Sequence, residues 1–235
     1  MIVLAVDVGG SHVKCLASGQ RTPRAFVSGP TLTAAQMVRG VREVARGWRF
    51  DAVSIGYPGP VLHGAPLQEP HNLGAGWVGF DFAAAFGRPV RLTNDAAMQA
   101  LGSYEGGRML FLGLGTGLGS ALIVDGRLEA MELAHLPYRK GRTYEDYVGI
   151  GGLERLGKKK WRKAVLDVVE ELRAALGPDY VVLGGGNVRR MKTLPEYVRR
   201  GDNRNAFVGG FRLWNAAGTT QPASGAKAAK AAPAP

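Results

Sequence analysis

The chain has 235 residues, 46% hydrophobic and 21% charged, with 35 glycines and a single cysteine, Cys15, so it has ample length for one large or two small globular domains but no disulfide framework. No run approaches the roughly eighteen apolar residues of a membrane span, and the N-terminus lacks a charged region before its short apolar run, so a soluble cytoplasmic protein is expected. The formal net charge of +11 favours anionic partners, but it is scattered and accompanies no helix-turn-helix, zinc-finger or aromatic RNA-binding pattern, so specific nucleic-acid binding is not expected.

Strands are predicted at 2–8, 12–18 and 24–28, a meander whose first turn is Asp7-Val8-Gly9-Gly10-Ser11. Thr33 opens a helix over 34–48, in which Met37, Val41, Val44, Ala45 and Trp48 recur at helical spacing. A short strand at 52–56 ends in Gly56-Tyr57-Pro58-Gly59. Another, at 90–93, ends at Asn94-Asp95 and leads into a helix over 96–104. A second meander follows at 109–114, 119–125 and 127–133, with Gly113-Leu114-Gly115-Thr116-Gly117-Leu118-Gly119-Ser120 at its first turn. Trp161, Val165, Val168, Val169, Leu172 and Leu176 share one face of a helix whose other face is charged. Gly177-Pro178 ends it, and a strand at 180–183 stops at Gly184-Gly185-Gly186-Asn187. Residues 216–235 are Ala, Pro, Gly, Ser, Thr, Gln and Lys without apolar period, the composition of a disordered tail.

The two halves therefore open alike, each with three meander strands and a glycine turn between the first two. Glycine turns reach positive φ and expose consecutive N–H groups that can cradle phosphate oxygens. Simple hairpin turns explain the glycines but not the hydroxyl residue, Ser11 or Thr116, in both. Asp95 stands where a strand gives way to a helix, the place at which α/β folds hold ligands. From the residues alone it is equally a catalytic carboxylate or part of a helix cap. Lys158-Lys159-Lys160 is either a solvated helix face or a track for an anionic chain.

The set Asp7-x-Gly9-Gly10-Ser11, Gly56-x-Pro58-Gly59, Asn94-Asp95-Ala96, Gly115-Thr116-Gly117-x-Gly119, Glu132-x-x-His135 and Gly184-Gly185-Gly186 resembles the ROK family of sugar kinases and repressors. Gly10 to Lys14 and 114–126 look most like polyphosphate glucokinases, and the resemblance spans about 2–215. It implies the α/β actin-like ATPase (ribonuclease H-like) fold, with two similar domains around a cleft. The expected division is 1–95 and 96–202, with a helix near 203–215 rejoining the first domain. Opening directly at the first phosphate strand looks like the kinase branch rather than the repressor branch. The zinc-binding cysteines of some members are missing, Ala134 replaces a glycine of the Glu-x-Gly-His segment, and the middle is short.

By that resemblance Asp95 is the general base of a transfer from ATP or inorganic polyphosphate to the 6-hydroxyl of glucose. Asn94, Glu132, His135, Glu145 and Gly59 are the sugar-side candidates, with His71 or Asn72 on the rim. Gly9, Gly10, Ser11, Lys14, Gly115, Thr116 and Gly117 face the donor phosphates, and Gly185 and Gly186 the adenosine side. Asp7 orients a hydrated Mg²⁺. A homodimer is the expected assembly. The competing readings are a sugar-sensing regulator of the same fold without catalysis, or a kinase for another hexose.

Overall fold

A computed structural model describes residues 1–215; the expected tail lies outside them. The first half contains the meander β1 (Val3–Val8), β2 (His12–Ala17) and β3 (Arg24–Val27), then α1 (Ala34–Val44) and β4 (Ala52–Tyr57). A small hairpin of β5 (Val61–Leu62) and β6 (Ala65–Pro66) follows, then α2 (Phe82–Phe86) and β7 (Val90–Asn94). From there α3 (Asp95–Ser103) leads to β8 (Arg108–Leu114), β9 (Leu118–Val124) and β10 (Arg127–Met131). The remainder is α4 (Tyr144–Val148), α5 (Ile150–Leu176), β11 (Tyr180–Gly184), a single turn at Val188–Arg190, β12 (Val198–Arg200) and α6 (Asn205–Arg212).

The strands form two five-stranded sheets of matching order, β3-β2-β1-β4-β7 and β10-β9-β8-β11-β12. In each, the first meander strand pairs antiparallel with the second and parallel with the next strand of the sheet. Both faces of the central strands are covered, so their sequences read as unbroken apolar runs. Alternation sorts the side chains: Leu4, Val6 and Val8 join the core containing Met37 and Val41 of α1, while Ala5 meets Phe207 of α6. In the second sheet Leu110 and Leu112 join the core of Trp161, Val165 and Leu172 from α5, and Met109 and Phe111 pack with Ala96, Ala97 and Ala100 of α3.

Helices α3 and α6 pack together backbone to backbone. A Cβ on Gly102 would stand 1.8 Å from the Asn205 carbonyl oxygen, and one on Gly209 1.7 Å from that of Met98. Arg212 donates to the carbonyls of Leu101 and Tyr104 at 2.8 and 2.9 Å, closing the end of α3. Ser54 on β4 donates to the Gly210 carbonyl at 2.5 Å and accepts from Trp214 Nε1 at 2.8 Å, fastening α6 to the first sheet.

The predicted helix over 34–48 ends earlier, at Val44. Gly47 has φ of +87°, a left-handed conformation that turns the chain out of the helix. Trp48 instead packs its ring under the Arg24 guanidinium, 4.1 Å away. The helix carrying Trp161 begins at Ile150 and breaks at Gly157, where φ is +72° and ψ 159°. β10 stops at Met131, so Glu132 lies just beyond it rather than inside a strand reaching 133.

Candidate active site

The two glycine turns differ in length, one joining the paired Val8 and Val13 and the other the paired Leu114 and Leu118, but each is closed by its first glycine. In the first, the Gly9 N–H closes the turn on the His12 carbonyl at 3.1 Å; in the second, the Gly115 N–H bonds the Gly117 carbonyl at 3.1 Å. The next two N–H groups of each, Gly10 and Ser11 or Thr116 and Gly117, have no protein partner among the described residues. Gly9 and Gly115 therefore shape their loops, and the residues after them present the free donors. Ser28 braces the first loop by donating to the Gly9 carbonyl at 2.6 Å, a contact no local pattern announces.

The third glycine segment supports the second loop. Gly185 has φ of +80° and lies so close to Leu114 that a Cβ would meet its carbonyl oxygen at 2.5 Å, so only glycine fits. Asn187 donates from its backbone to Leu114 O at 2.9 Å and from Nδ2 to Gly115 O at 3.0 Å. It makes no side-chain cap for the turn that follows. Gly186 is exposed with nothing near it, and is the member of this segment open to a ligand.

Between the loops runs a line of carboxylates. Strand register sets it: Asp7 of β1 pairs with Gly56 of β4, which pairs with Thr93 of β7, two residues before Asp95. A Cβ on Gly56 would sit 3.3 Å from Asp95 Cα, so the glycine lets α3 start directly over β4. Burial, the charge of Asp7 and that of Glu132 push the Asp95 carboxyl up to about 7, although it accepts the Ala96 N–H at 2.7 Å. Burial also raises Asp7, opposed by Lys14, its cross-strand partner on β2. Glu132 is raised by burial and by Glu145, against the pull of His135. Asp7, Asp95, Glu132, His135 and Glu145 thus sense one another across both sheets.

Glu132 is held by a buried hydroxyl. Ser120 Oγ donates to the Met131 carbonyl at 2.7 Å and accepts the Leu133 N–H at 3.2 Å, clamping the residues on either side of Glu132. His135 is exposed beyond it. Glu145, in the first turn of α4, turns toward the second glycine loop: its Oε2 accepts the Leu118 N–H at 3.0 Å.

Asn94 caps α3 by accepting the Ala97 N–H at 3.1 Å and donates from Nδ2 to the Gly59 carbonyl at 3.1 Å. The cap belongs to Asn94, which leaves Asp95 as the first residue of the helix, its carboxylate accepting the Ala96 N–H. Gly59 lies against the Tyr57 ring, where a Cβ would come within 2.9 Å. Asn72, on the rim, approaches Gly10 of the first loop, to 3.4 Å from where a Cβ would be. Its segment is pinned by Glu69, which accepts the Trp77 and Val78 N–H groups at 3.0 and 3.2 Å. Lys158, Lys159 and Lys160 are exposed and open the second part of α5 just after the break at Gly157.

No cluster of three or more metal-ligating side chains occurs among the described residues. The Asp7–Asp95 pair, both raised, suits a cation that arrives with other ligands of its own rather than one caged by the protein. No helix among the described residues is long and apolar enough to cross a membrane.

Comparison with known proteins agrees with this architecture. The family model described as "ROK family" matches residues 3–130. A polyphosphate glucokinase of Mycobacterium tuberculosis (strain ATCC 25618 / H37Rv) is 30% identical over 206 residues, covering 80% of this chain and 73% of that protein. The inorganic polyphosphate/ATP-glucomannokinase of Arthrobacter sp. strain KM superposes with a TM-score of 0.74 at 24% identity, over 89% of this chain and 96% of that one. A ROK family glucokinase from Streptomyces griseus, solved with glucose and AMPPNP, gives 0.71 at 17% identity, over 91% and 99%. With its actin-like ATPase fold and a family match over more than half its length, the chain belongs to the ROK family.

Proposed function

We propose that this protein is a Mg²⁺-dependent glucokinase that moves a terminal phosphoryl group from polyphosphate or ATP to the 6-hydroxyl of glucose. The observation that carries the reading is Asp95: a carboxylate with its pKa near 7, at the end of β7, electrostatically linked to Asp7 on one side and Glu132 on the other. A base tuned close to neutral pH both exists as carboxylate and holds a proton well.

Phosphoryl transfer proceeds through a loose transition state in which positioning and charge stabilisation dominate. The free N–H groups of Gly10, Ser11, Thr116 and Gly117 bind the donor's terminal oxygens, with Lys14 adding positive charge beside Asp7. Asp7 would hold Mg²⁺, which would supply charge neutralisation at the phosphates. Glu132, His135, Glu145 and the spare N–H of Asn94 orient the sugar hydroxyls, with the Gly59 backbone at the edge of the ring. Asp95 accepts the hydrogen bond of the 6-hydroxyl, aligns its oxygen with the phosphorus and takes the proton as the new P–O bond forms. Residues 1–95 with 203–215 form one wall of the cleft and 96–202 the other.

Two features favour polyphosphate among the donors. The relative quoted at 30% identity is a polyphosphate glucokinase. The Ile150 N–H at the start of α5 bonds Thr116 O at 3.0 Å, so the helix springs from the donor loop. Its lysine run begins eight residues later, just past the break at Gly157, where a chain donor extending beyond the loop would meet it. The test is a glucose 6-phosphate assay with a panel of sugars against polyphosphate, ATP and GTP, with and without Mg²⁺. Product from glucose that disappears in Asp95→Asn is expected; sugar binding without product from any donor would overturn the reading in favour of a sensor.

A further inference from the structure

Glu145 belongs to the first turn of α4, yet its carboxylate is spent on the second glycine loop. Oε2 accepts the Leu118 N–H at 3.0 Å and stands only 2.1 Å from where a Cβ on Gly117 would be. Glycine at 117 is what lets the carboxylate come down onto the loop. The backbone around it is pinned on three sides. The Glu145 N–H donates to Ala134 O at 3.0 Å, the Glu145 carbonyl accepts the Gly149 N–H at 2.8 Å, and the Ile150 N–H holds Thr116 O at 3.0 Å.

No cation pairs with Glu145 among the described residues. Its charge acts on Glu132, which it helps to raise. A carboxylate without an ion-pair partner among the described residues therefore rests on a loop whose free N–H groups, Thr116 and Gly117, are the ones offered to phosphate. In this position it opposes an anionic donor by charge and by occupying space over Gly117.

We infer that Glu145 makes donor binding wait for the sugar. In the free enzyme its carboxylate lies on the Leu118 N–H and repels the donor's terminal phosphate. Sugar hydroxyls, by donating to Glu145 and Glu132 together, satisfy both carboxylates and draw Glu145 off the loop. The loop then receives the donor. This inference rests on the proposed kinase reading and gives it an order of events. Its benefit is chemical: with no sugar present, water could stand beside Asp95, attack the terminal phosphorus, pass its proton to Asp95 and release the remaining chain. A donor held off the loop escapes that hydrolysis.

The test is calorimetric titration of magnesium tripolyphosphate into the full-length protein, with and without saturating glucose, supplied as 6-deoxyglucose so that no phosphoryl transfer occurs during the titration, for wild type, Glu145→Gln and Glu145→Ala. Glucose should tighten tripolyphosphate binding by about tenfold in wild type, a usual size for coupled sites. Glu145→Ala should bind tripolyphosphate without glucose about as tightly as glucose-saturated wild type, within about twofold on the same scale. Glu145→Gln keeps an oxygen for the Leu118 N–H but no charge, and should also gain affinity in the absence of glucose. Both variants should release more phosphate from the donor without sugar than wild type does. A merely structural role would weaken donor binding instead, and unchanged or weaker sugar-free binding in both variants would overturn the gate. Equal wild-type affinity with and without glucose would overturn it too. Those outcomes, and wild type that binds no tripolyphosphate even with glucose, leave the kinase reading standing, whereas wild type that forms no sugar phosphate from polyphosphate, ATP or GTP overturns both.

Discussion

The carboxylate of Asp7 pushes up that of Asp95 because β1 and β7 flank the same strand, β4, and end at the same level. Gly56 lies between them on β4 and lacks the side chain that would hold α3 away. The pair is costly to the fold and useful to the chemistry: burial and charge that disfavour the Asp95 carboxylate also make it a stronger base.

Replacing Asp95 by Asn separates those effects. Turnover should fall by about a hundredfold or more, since a positioned base contributes on that order. Stability should move the other way. The folded state raises this carboxyl above its unfolded value, so it holds the proton more tightly than the unfolded chain between roughly pH 4 and 7. Stability contributed by the protonated form is lost as pH rises through that window, and the cost is full above about 7. Asp95→Asn removes the cost while keeping an oxygen for the Ala96 N–H. Without divalent cation it should melt higher than wild type at pH 8, with the gain gone below pH 4. Thermal melts across pH, beside initial rates, check both.

On the proposed mechanism the same carboxyl sets the acid limb of activity. In the free enzyme kcat/KM should drop as pH falls through about 7. Glu132 contributes to that elevation, so Glu132→Gln should move the limb to lower pH while raising the KM for glucose. Ser120→Ala, which frees the residues flanking Glu132, should raise the same KM with a smaller shift of the limb. Rate profiles against pH distinguish a lost charge from a misplaced one.

Changing Lys158, Lys159 and Lys160 together to Ala should discriminate donors by length. A polymer that extends past the glycine loops along α5 loses favourable charge, while tripolyphosphate and ATP end near Thr116. The KM for long-chain polyphosphate should rise about tenfold or more at low salt and less at high salt, where exposed charges are screened. Equal effects on all donors would remove the lysines from the donor path.

The α3–α6 contact predicts a stability effect remote from the chemistry. Gly209→Ala would drive a methyl into the Met98 carbonyl, which is backbone and cannot step aside. A loss of about 3 kcal/mol, at the upper end of overpacking effects, is expected in denaturant unfolding. Gly186→Ala, whose new methyl meets nothing, should leave stability within about 0.5 kcal/mol.

Strand-level features were legible in the sequence because they depend on neighbours along the chain. The alternating and continuous apolar runs fix where β1, β2, β8 and β9 lie, and glycines fix the turns at Gly9 and Gly115. Where local pattern misled, a backbone conformation decided: Trp48 has helical spacing but follows Gly47, whose left-handed φ ends α1 early. The repeat of meander and glycine turn was enough to expect two similar halves, and the matching strand orders agree.

What the sequence by itself determined is therefore the list of parts: two glycine loops with a hydroxyl each, an Asn94-Asp95 step from strand to helix, and acids at 132 and 145. Only the tertiary structure decided how they meet. Sheet register sets Asp7 against Asp95, Ser120 clamps the chain around Glu132, and Gly117 admits the Glu145 carboxylate onto the second glycine loop. Local geometry follows from residue type within a few positions. The charge of Asp95 depends on burial and on carboxylates brought from distant strands, and no spacing along the chain encodes that distance.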